Sequence, residues 1–215
     1  MHRTRTPKVE ASRKRLLDAA ARVFRERGYS GTTMRAVAQL AGIEAASIYY
    51  HYRSKDELIG AVLDFGIAAL LSSVKSAIDR LPADASPRLR IETAIEAHLA
   101  AVVANGDYML AMRRVFGQVP RPAWQGHVRL RERYGAMWHR LLTAAREAAV
   151  LRPEVDLTLA RLFLLGGMNW TVEWYKPRKH PLRGIARAFA SFILDGLLVP
   201  SAQARMRKPA TRRRQ

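Results

Sequence analysis

The stretch from Thr32 to Lys55, TTMRAVAQLAGIEAASIYYHYRSK, constrains the fold more than any other part of the chain, because residue type alone marks two short helices and the turn between them. Thr32 and Thr33 follow Gly31, where a hydroxyl can cap the free N–H groups of a new helix. Met34, Val37, Ala38 and Ala41 then share one face at helical spacing. Gly42 stops that helix, since glycine enters the left-handed region without steric cost, and Ile43 is the apolar pivot of the turn. A second helix is predicted from about Ala45, with Ile48 and Tyr52 four apart and facing inward. This arrangement is a helix-turn-helix, which points to double-stranded DNA as a partner.

Each outward residue of the motif has a role to weigh. Ala45, Ala46 and Ser47 are small enough to bring the second helix's first turn against base edges, and Tyr49, Tyr50 and His51 are left to reach the duplex. Arg35 either forks onto guanine O6 and N7 or pairs with a phosphate. Tyr49, His51 and Lys55 are expected to donate to phosphates, with packing on the first helix as the other role for Tyr49. Ser47 either bonds a phosphate or caps its own helix, Tyr50 touches a thymine methyl or a sugar, and Thr33 completes the DNA-facing set. Neither a carboxylate nor a second histidine accompanies His51 at ligand spacing, so no metal site is expected.

The motif resembles the N-terminal domain of the TetR (TetR/AcrR) family of transcriptional regulators, whose pattern is T-T-h-R-x-h-A-x-x-A-G-h-x-x-x-x-h-Y-x-H-F-x-s-K-x-x-L, where h is apolar. Thr32, Thr33, Met34, Arg35, Val37, Ala38, Ala41, Gly42, Ile43, Ile48, Tyr49, His51, Tyr52, Ser54, Lys55 and Leu58 supply it in order. The resemblance extends upstream through LLDAAARVFRERG, from Leu16 to Gly28. Tyr52 stands where phenylalanine is usual, and Ala45 and Ala46 where longer polar residues are common, which bears on how many bases are contacted directly. The family implies an all-α, nine-helix fold and a homodimeric repressor that leaves a palindromic operator when a small effector binds.

The remaining sequence reads as helices. They are expected from Lys55 to about Arg80, Arg88 to Ala104 and Tyr108 to Gly117, then through Trp138 to Ala149, Leu157 to Tyr175 and Leu182 to Leu198. A basic disordered arm is expected over residues 1–10, the helix-turn-helix head over 11–56, a ligand-binding and dimerisation body over 57–200, and a basic disordered tail over 201–215. The last two helices carry apolar stripes through Leu159, Phe163 and Gly166, and through Ile185, Phe189, Phe192, Ile193 and Leu197. By family resemblance these form a four-helix interface with a second copy; intrachain core is the other reading.

For the effector, Tyr108, Met112, Phe116, Trp138, Trp170 and Trp174 are candidates to wall an apolar chamber. The segment GGMNWTVEWYKPRKHPL is similar to the W-x-x-x-W-Y-[RK]-P-x-G-x-x-x-P element of TetR-type regulators that respond to acyl-coenzyme A thioesters of fatty-acid or steroid catabolism. It matches at Trp170, Trp174, Tyr175, Lys176, Pro177 and Pro181 and departs at Arg178, Lys179 and His180, where a glycine is expected. That resemblance implies an acyl-coenzyme A whose phosphates meet Arg113 or Arg114, Lys176, and Arg178 or Lys179.

Composition narrows the rest. Thirty-seven basic against 18 acidic residues give a formal charge of +19, attractive to any polyanion. With no cysteine there is neither disulfide nor thiol chemistry. The charged start lacks a secretory apolar stretch, and the apolar runs near Leu162 and Ala188 are interrupted by Arg161, Asn169 and Asp195, so a cytoplasmic protein without membrane contact is expected. G-x-S-x-G, H-E-x-x-H, G-x-x-x-x-G-K-[ST] and G-x-G-x-x-G are missing, so neither an enzyme nor a cofactor is expected. The alternative is a ligand-free DNA-organising protein whose body binds a protein partner.

Overall fold

The computed structural model describes residues 7–196, and everything regular among them is α-helix. Leu197, residues 1–6 and the basic tail lie outside the described residues. The helices are α1 (Pro7–Arg27), α2 (Met34–Ala41), α3 (Ile48–His51), α4 (Lys55–Asp79), α5 (Pro87–Ala104), α6 (Gly106–Val115), α7 (Arg121–Glu147), α8 (Leu157–Trp174) and α9 (Leu182–Leu194). Helix α1 begins at Pro7, whose fixed φ and missing N–H suit a first turn, so residues 7–10 of the expected arm are helical.

Local chemistry sets most boundaries. Thr33 is extended and its hydroxyl accepts from the Ala36 N–H at 3.2 Å; Gly42 ends α2 at φ 68°. The Ile43 N–H donates to the Ala38 carbonyl at 3.0 Å and the Gly42 N–H to Gln39 at 3.2 Å, closing a Schellman turn. Helix α3 is shorter than expected. Over Glu44–Ser47 the backbone bonds i to i+3, as from Ser47 N–H to the Glu44 carbonyl at 2.9 Å, and the helix proper starts only at Ile48. Ser54 caps α4 through the Glu57 N–H at 3.1 Å, Ser86 caps α5 through Leu89, and Asp156 accepts from Thr158 and Leu159 at the start of α8. Helix α9 stops at Leu194, short of the expected Leu198, because Gly196 turns left-handed at φ 79°.

Helices α1–α3 form the head. Leu16, Ala20, Val23 and Phe24 of α1 meet Val37, Ala38, Ile48 and Tyr52, all buried. The body packs α5 and α7 on α4, and α8 and α9 on α5, while α1 lies along α6. By length and composition alone α4 could cross a membrane, a segment apart from the apolar runs near Leu162 and Ala188. Its apolar character has another cause: Leu58, Val62, Leu63, Ile67, Leu70 and Val74 are buried against helices on several sides.

Candidate DNA-binding face and effector cavity

On the head, Tyr49 and Tyr50 are 55% and 91% exposed beside the exposed Ala45 and Ala46. Arg35 and Thr33 are also exposed, whereas Ser47, His51 and Lys55 are half-buried. These residues share one side of the motif because Ile48 and Tyr52 point the other way, into the core. The Tyr52 hydroxyl accepts from Arg13 Nε at 3.0 Å, so the hydroxyl that phenylalanine would lack ties α3 to α1. Two assignments change. Ser47 makes no side-chain capping bond, which removes the cap reading. Lys55 Nζ donates to the Tyr29 carbonyl at 3.0 Å and sits 4.3 Å from the centre of the Tyr29 ring, so it pins the α1–α2 turn onto α4 and keeps only its remaining donors for a phosphate. The Tyr29 hydroxyl donates to Asp56; burial first, then that carboxylate, push its pKa up to about 12.

In the body, a cavity of about 630 Å³ opens between α4, α6, α7 and α8. Of the residues named for an effector, Met112, Arg113 and Phe116 line it, together with Gly166, which the sequence reading puts on the dimer face. The other expected ligand residues lie elsewhere. Tyr108 faces α1: its hydroxyl donates to Asp18 at 2.7 Å and its ring packs on Phe65. Trp138 is fully buried core, edge-on to His98. Trp170 is exposed with the Arg113 guanidinium 4.0 Å above it, and Trp174, Lys176 and Arg178 are exposed as well. Helical faces decide this, since aromatic content does not say which side of a helix a ring occupies.

The cavity's polar wall is missing from the sequence expectation. His127, Arg131 and Tyr134 recur along one face of α7, and Arg161 enters from α8. The signal was available: Arg161 interrupts an apolar run, and the α7 residues are spaced four and three apart. Burial and the Arg131 charge lower the His127 pKa to about 4, and the nearby Leu63 carbonyl offsets this only in part without hydrogen-bond geometry. Both nitrogens of His127 therefore lack a partner. His98 is fully buried with Nδ1 2.6 Å from the Tyr134 hydroxyl, and desolvation lowers its pKa to about 3. Both imidazoles are neutral near pH 7.

On the far side of α8, Leu159, Phe163, Trp170 and Trp174 form an exposed apolar stripe, with Phe163 71% exposed. On α9, Phe192 is 58% exposed and Ile185, Phe189 and Ile193 are half-buried. A Cβ on Gly167 would lie 2.8 Å from Phe189 Cζ, so the missing side chain is what lets that ring lie on α8.

Comparison with known proteins places this architecture. The profile described as bacterial regulatory proteins, tetR family, matches residues 16–62, and a tetracyclin repressor-like C-terminal domain matches residues 84–197. The HTH-type transcriptional repressor KstR2 of Mycobacterium tuberculosis is 30% identical over 198 residues, covering 88% of this chain and 94% of that protein. The solved ketosteroid transcriptional regulator KstR2 of the same organism superposes with a TM-score of 0.73 at 25% identity, covering 87% of this chain and 95% of that one. The TetR regulator PfmR of Thermus thermophilus superposes with a TM-score of 0.74 at 27% identity, covering 86% and 99%. With both halves matched and the likeness running nearly end to end, the chain belongs to the TetR family of bacterial transcriptional regulators.

Proposed function

We propose that the protein is a homodimeric transcriptional repressor that binds a palindromic operator and is released from it by a small apolar effector. The observation that carries this is the near full-length likeness to the KstR2 repressors, in which head and body match together. Thr33, Arg35, Ala45, Ala46, Ser47, Tyr49, Tyr50, His51 and Lys55 form the DNA-facing set, Tyr49 and Tyr50 gripping backbone beside the small residues that approach the bases. A two-fold dimer through α8 and α9 would present two such heads to half-sites about one helical turn apart. Leu159, Phe163, Ile185, Phe189, Phe192 and Ile193 supply the apolar contact.

Helix α6 is the coupling element. One face supplies Met109, Met112, Arg113 and Phe116 to the cavity; the other receives α1 through Asp107, which accepts from Arg22 at 3.1 Å and from Arg25 at 2.5 Å, and through Tyr108. An effector that binds better when α6 is displaced therefore biases the head, and by linkage drains the population competent for the operator. The cavity favours this over the DNA-organising alternative, whose body would be filled. An acyl-coenzyme A thioester is the proposed effector class, its chain along Ile67, Leu70 and Met112 and its phosphates toward the arginines of the cavity wall that pair with no carboxylate.

Footprinting on the chain's own upstream DNA, followed by mobility shift with and without decanoyl-coenzyme A, tests the proposal. Protection of an inverted repeat that the thioester relieves is expected; footprints without symmetry would end the reading.

A further inference from the structure

The cavity wall carries arginines that pair with no carboxylate of the protein. Arg161 Nε is buried without a partner, and its Nη1 lies 2.5 Å from where a Cβ on Gly135 would stand, so the guanidinium occupies space that only a glycine on α7 leaves open. Among the described residues Arg161 and Arg131 form no ion pair, while the cavity's third arginine, Arg113, is already paired with Glu173 at 2.8 Å. Glu132 is the single carboxylate on the lining, against these two free cations. Fully buried His127 lies on the same wall with a single ring N–H to give, since its imidazole is neutral. Buried donors without acceptors are costly, and a site that keeps several is complementary to a ligand that brings acceptors.

We propose that the effector is an amphipathic organic anion whose charged oxygens seat against Arg161 and Arg131, with His127 as a neutral donor beside them, while its apolar part runs along Ile67, Leu70, Met109 and Met112. This rests on the cavity being the effector site and names what that site selects. Charge-assisted bonds to a guanidinium are about twice as strong as neutral ones, so a neutral molecule of the same shape is discriminated against. A free carboxylate and the phosphates of its coenzyme A thioester both present such oxygens.

Isothermal titration of the full chain with decanoic acid, decanoyl-coenzyme A and decan-1-ol tests this. At least one of the two anions binds about tenfold or more tightly than the alcohol. Arg161→Gln removes that preference while leaving the alcohol's affinity within about twofold. Gly135→Ala, which displaces the guanidinium but keeps it, does the same, and Arg131→Gln, at an exposed position, weakens anion binding even if the Arg161 variant fails to fold. Binding by the acid and not the thioester, or the reverse, supports the proposal and identifies which oxygens are read. Equal affinity for alcohol and anion, failure of both anions to bind, or an anion preference that survives Arg161→Gln overturns it. Mobility shift run in parallel separates the two readings: an anion that binds through Arg161 without releasing the operator removes the effector role and leaves the anion site standing.

Discussion

The head and the body of this molecule carry function in opposite ways. In the head, the outward groups of Tyr49 and Tyr50 touch little else, and the fold beneath them rests on Ile48, Tyr52 and Phe24. In the body, part of the cavity wall is itself core: His127 is fully buried, and Tyr134, which also lines the space, holds His98. A surface that meets a polyanion can be decorated without disturbing packing, whereas a chamber must be carved from the packing itself. Substitutions should therefore separate binding from stability in the head and fail to separate them in the body.

The largest effect should come from the outer face of the body. Phe163→Glu with Phe192→Glu places two carboxylates where an apolar α8–α9 contact is expected. Each substitution occurs twice across a two-fold contact, so at roughly 2 kcal/mol for each of four aromatics dimerisation should weaken by about a millionfold. Sedimentation velocity at micromolar protein should then show a monomer that no longer shifts the operator; an intact dimer would move the interface elsewhere. Next comes Tyr49→Ala with Tyr50→Ala. Two lost bonds to charged phosphates cost about 3 kcal/mol, roughly a hundredfold in operator affinity. The melting temperature should stay within about 2 °C, since Tyr50 is almost fully exposed and Tyr49 more than half exposed. A comparable fall in stability would erase the contrast drawn between the regions.

The buried imidazoles sharpen the contrast through pH. In the folded state His98 and His127 take up protons only near pH 3 and pH 4, but in the unfolded chain near 6.5. The unfolded state thus binds more protons as pH falls through 6 and 5, and stability, fully present above about 6.5, declines by up to about 1.4 kcal/mol per pH unit for each histidine. Asp64 opposes this, because burial raises its pKa and the folded state gains a proton as the medium acidifies. In urea titrations at pH 7 and pH 5, His127→Phe should lie within about 1 kcal/mol of wild type at pH 7, since no hydrogen bond is lost, and should flatten the decline. An unchanged slope would show that His127 takes up its proton at the same pH in the folded and unfolded states.

The same contrast explains what could be read from sequence. Caps and turns depend on residues a few positions apart, so Thr33, Gly42 and Ser54 declared themselves, and with them the helix-turn-helix. The length of α3 did not, because Ala45–Ser47 can close either i to i+3 or i to i+4 bonds and packing decides between them. The cavity was the least legible part. Its wall converges from Ile67, Met112, His127 and Arg161, on four helices whose rotation about their axes is set by long-range contacts. Aromatic character alone points to Trp138 and Tyr108 as lining, yet these rings face the core and α1.

The smallest predicted effect probes the link between the regions. Asp107 opens α6 and holds Arg22 and Arg25 of α1, while Phe116, which caps the far end of the same helix, reaches the cavity. The ion pairs are partly exposed, so their contribution to stability is at most about 1 kcal/mol, and Asp107→Asn should lower the melting temperature only slightly. Coupling is a different quantity. If α6 transmits displacement to α1 through these contacts, the variant should keep its affinity for operator and for decanoyl-coenzyme A measured separately. The factor by which the thioester weakens operator binding should then shrink about three- to fivefold. Because linkage is reciprocal, the operator's effect on thioester affinity must shrink by the same factor, and a thermodynamic cycle measured from both sides checks it. A coupling factor unchanged by the substitution would assign transmission to the packed contacts of Tyr108 and Gly66, where a Cβ would stand 3.5 Å from Tyr108 Cβ, and leave the arginines of α1 as surface decoration.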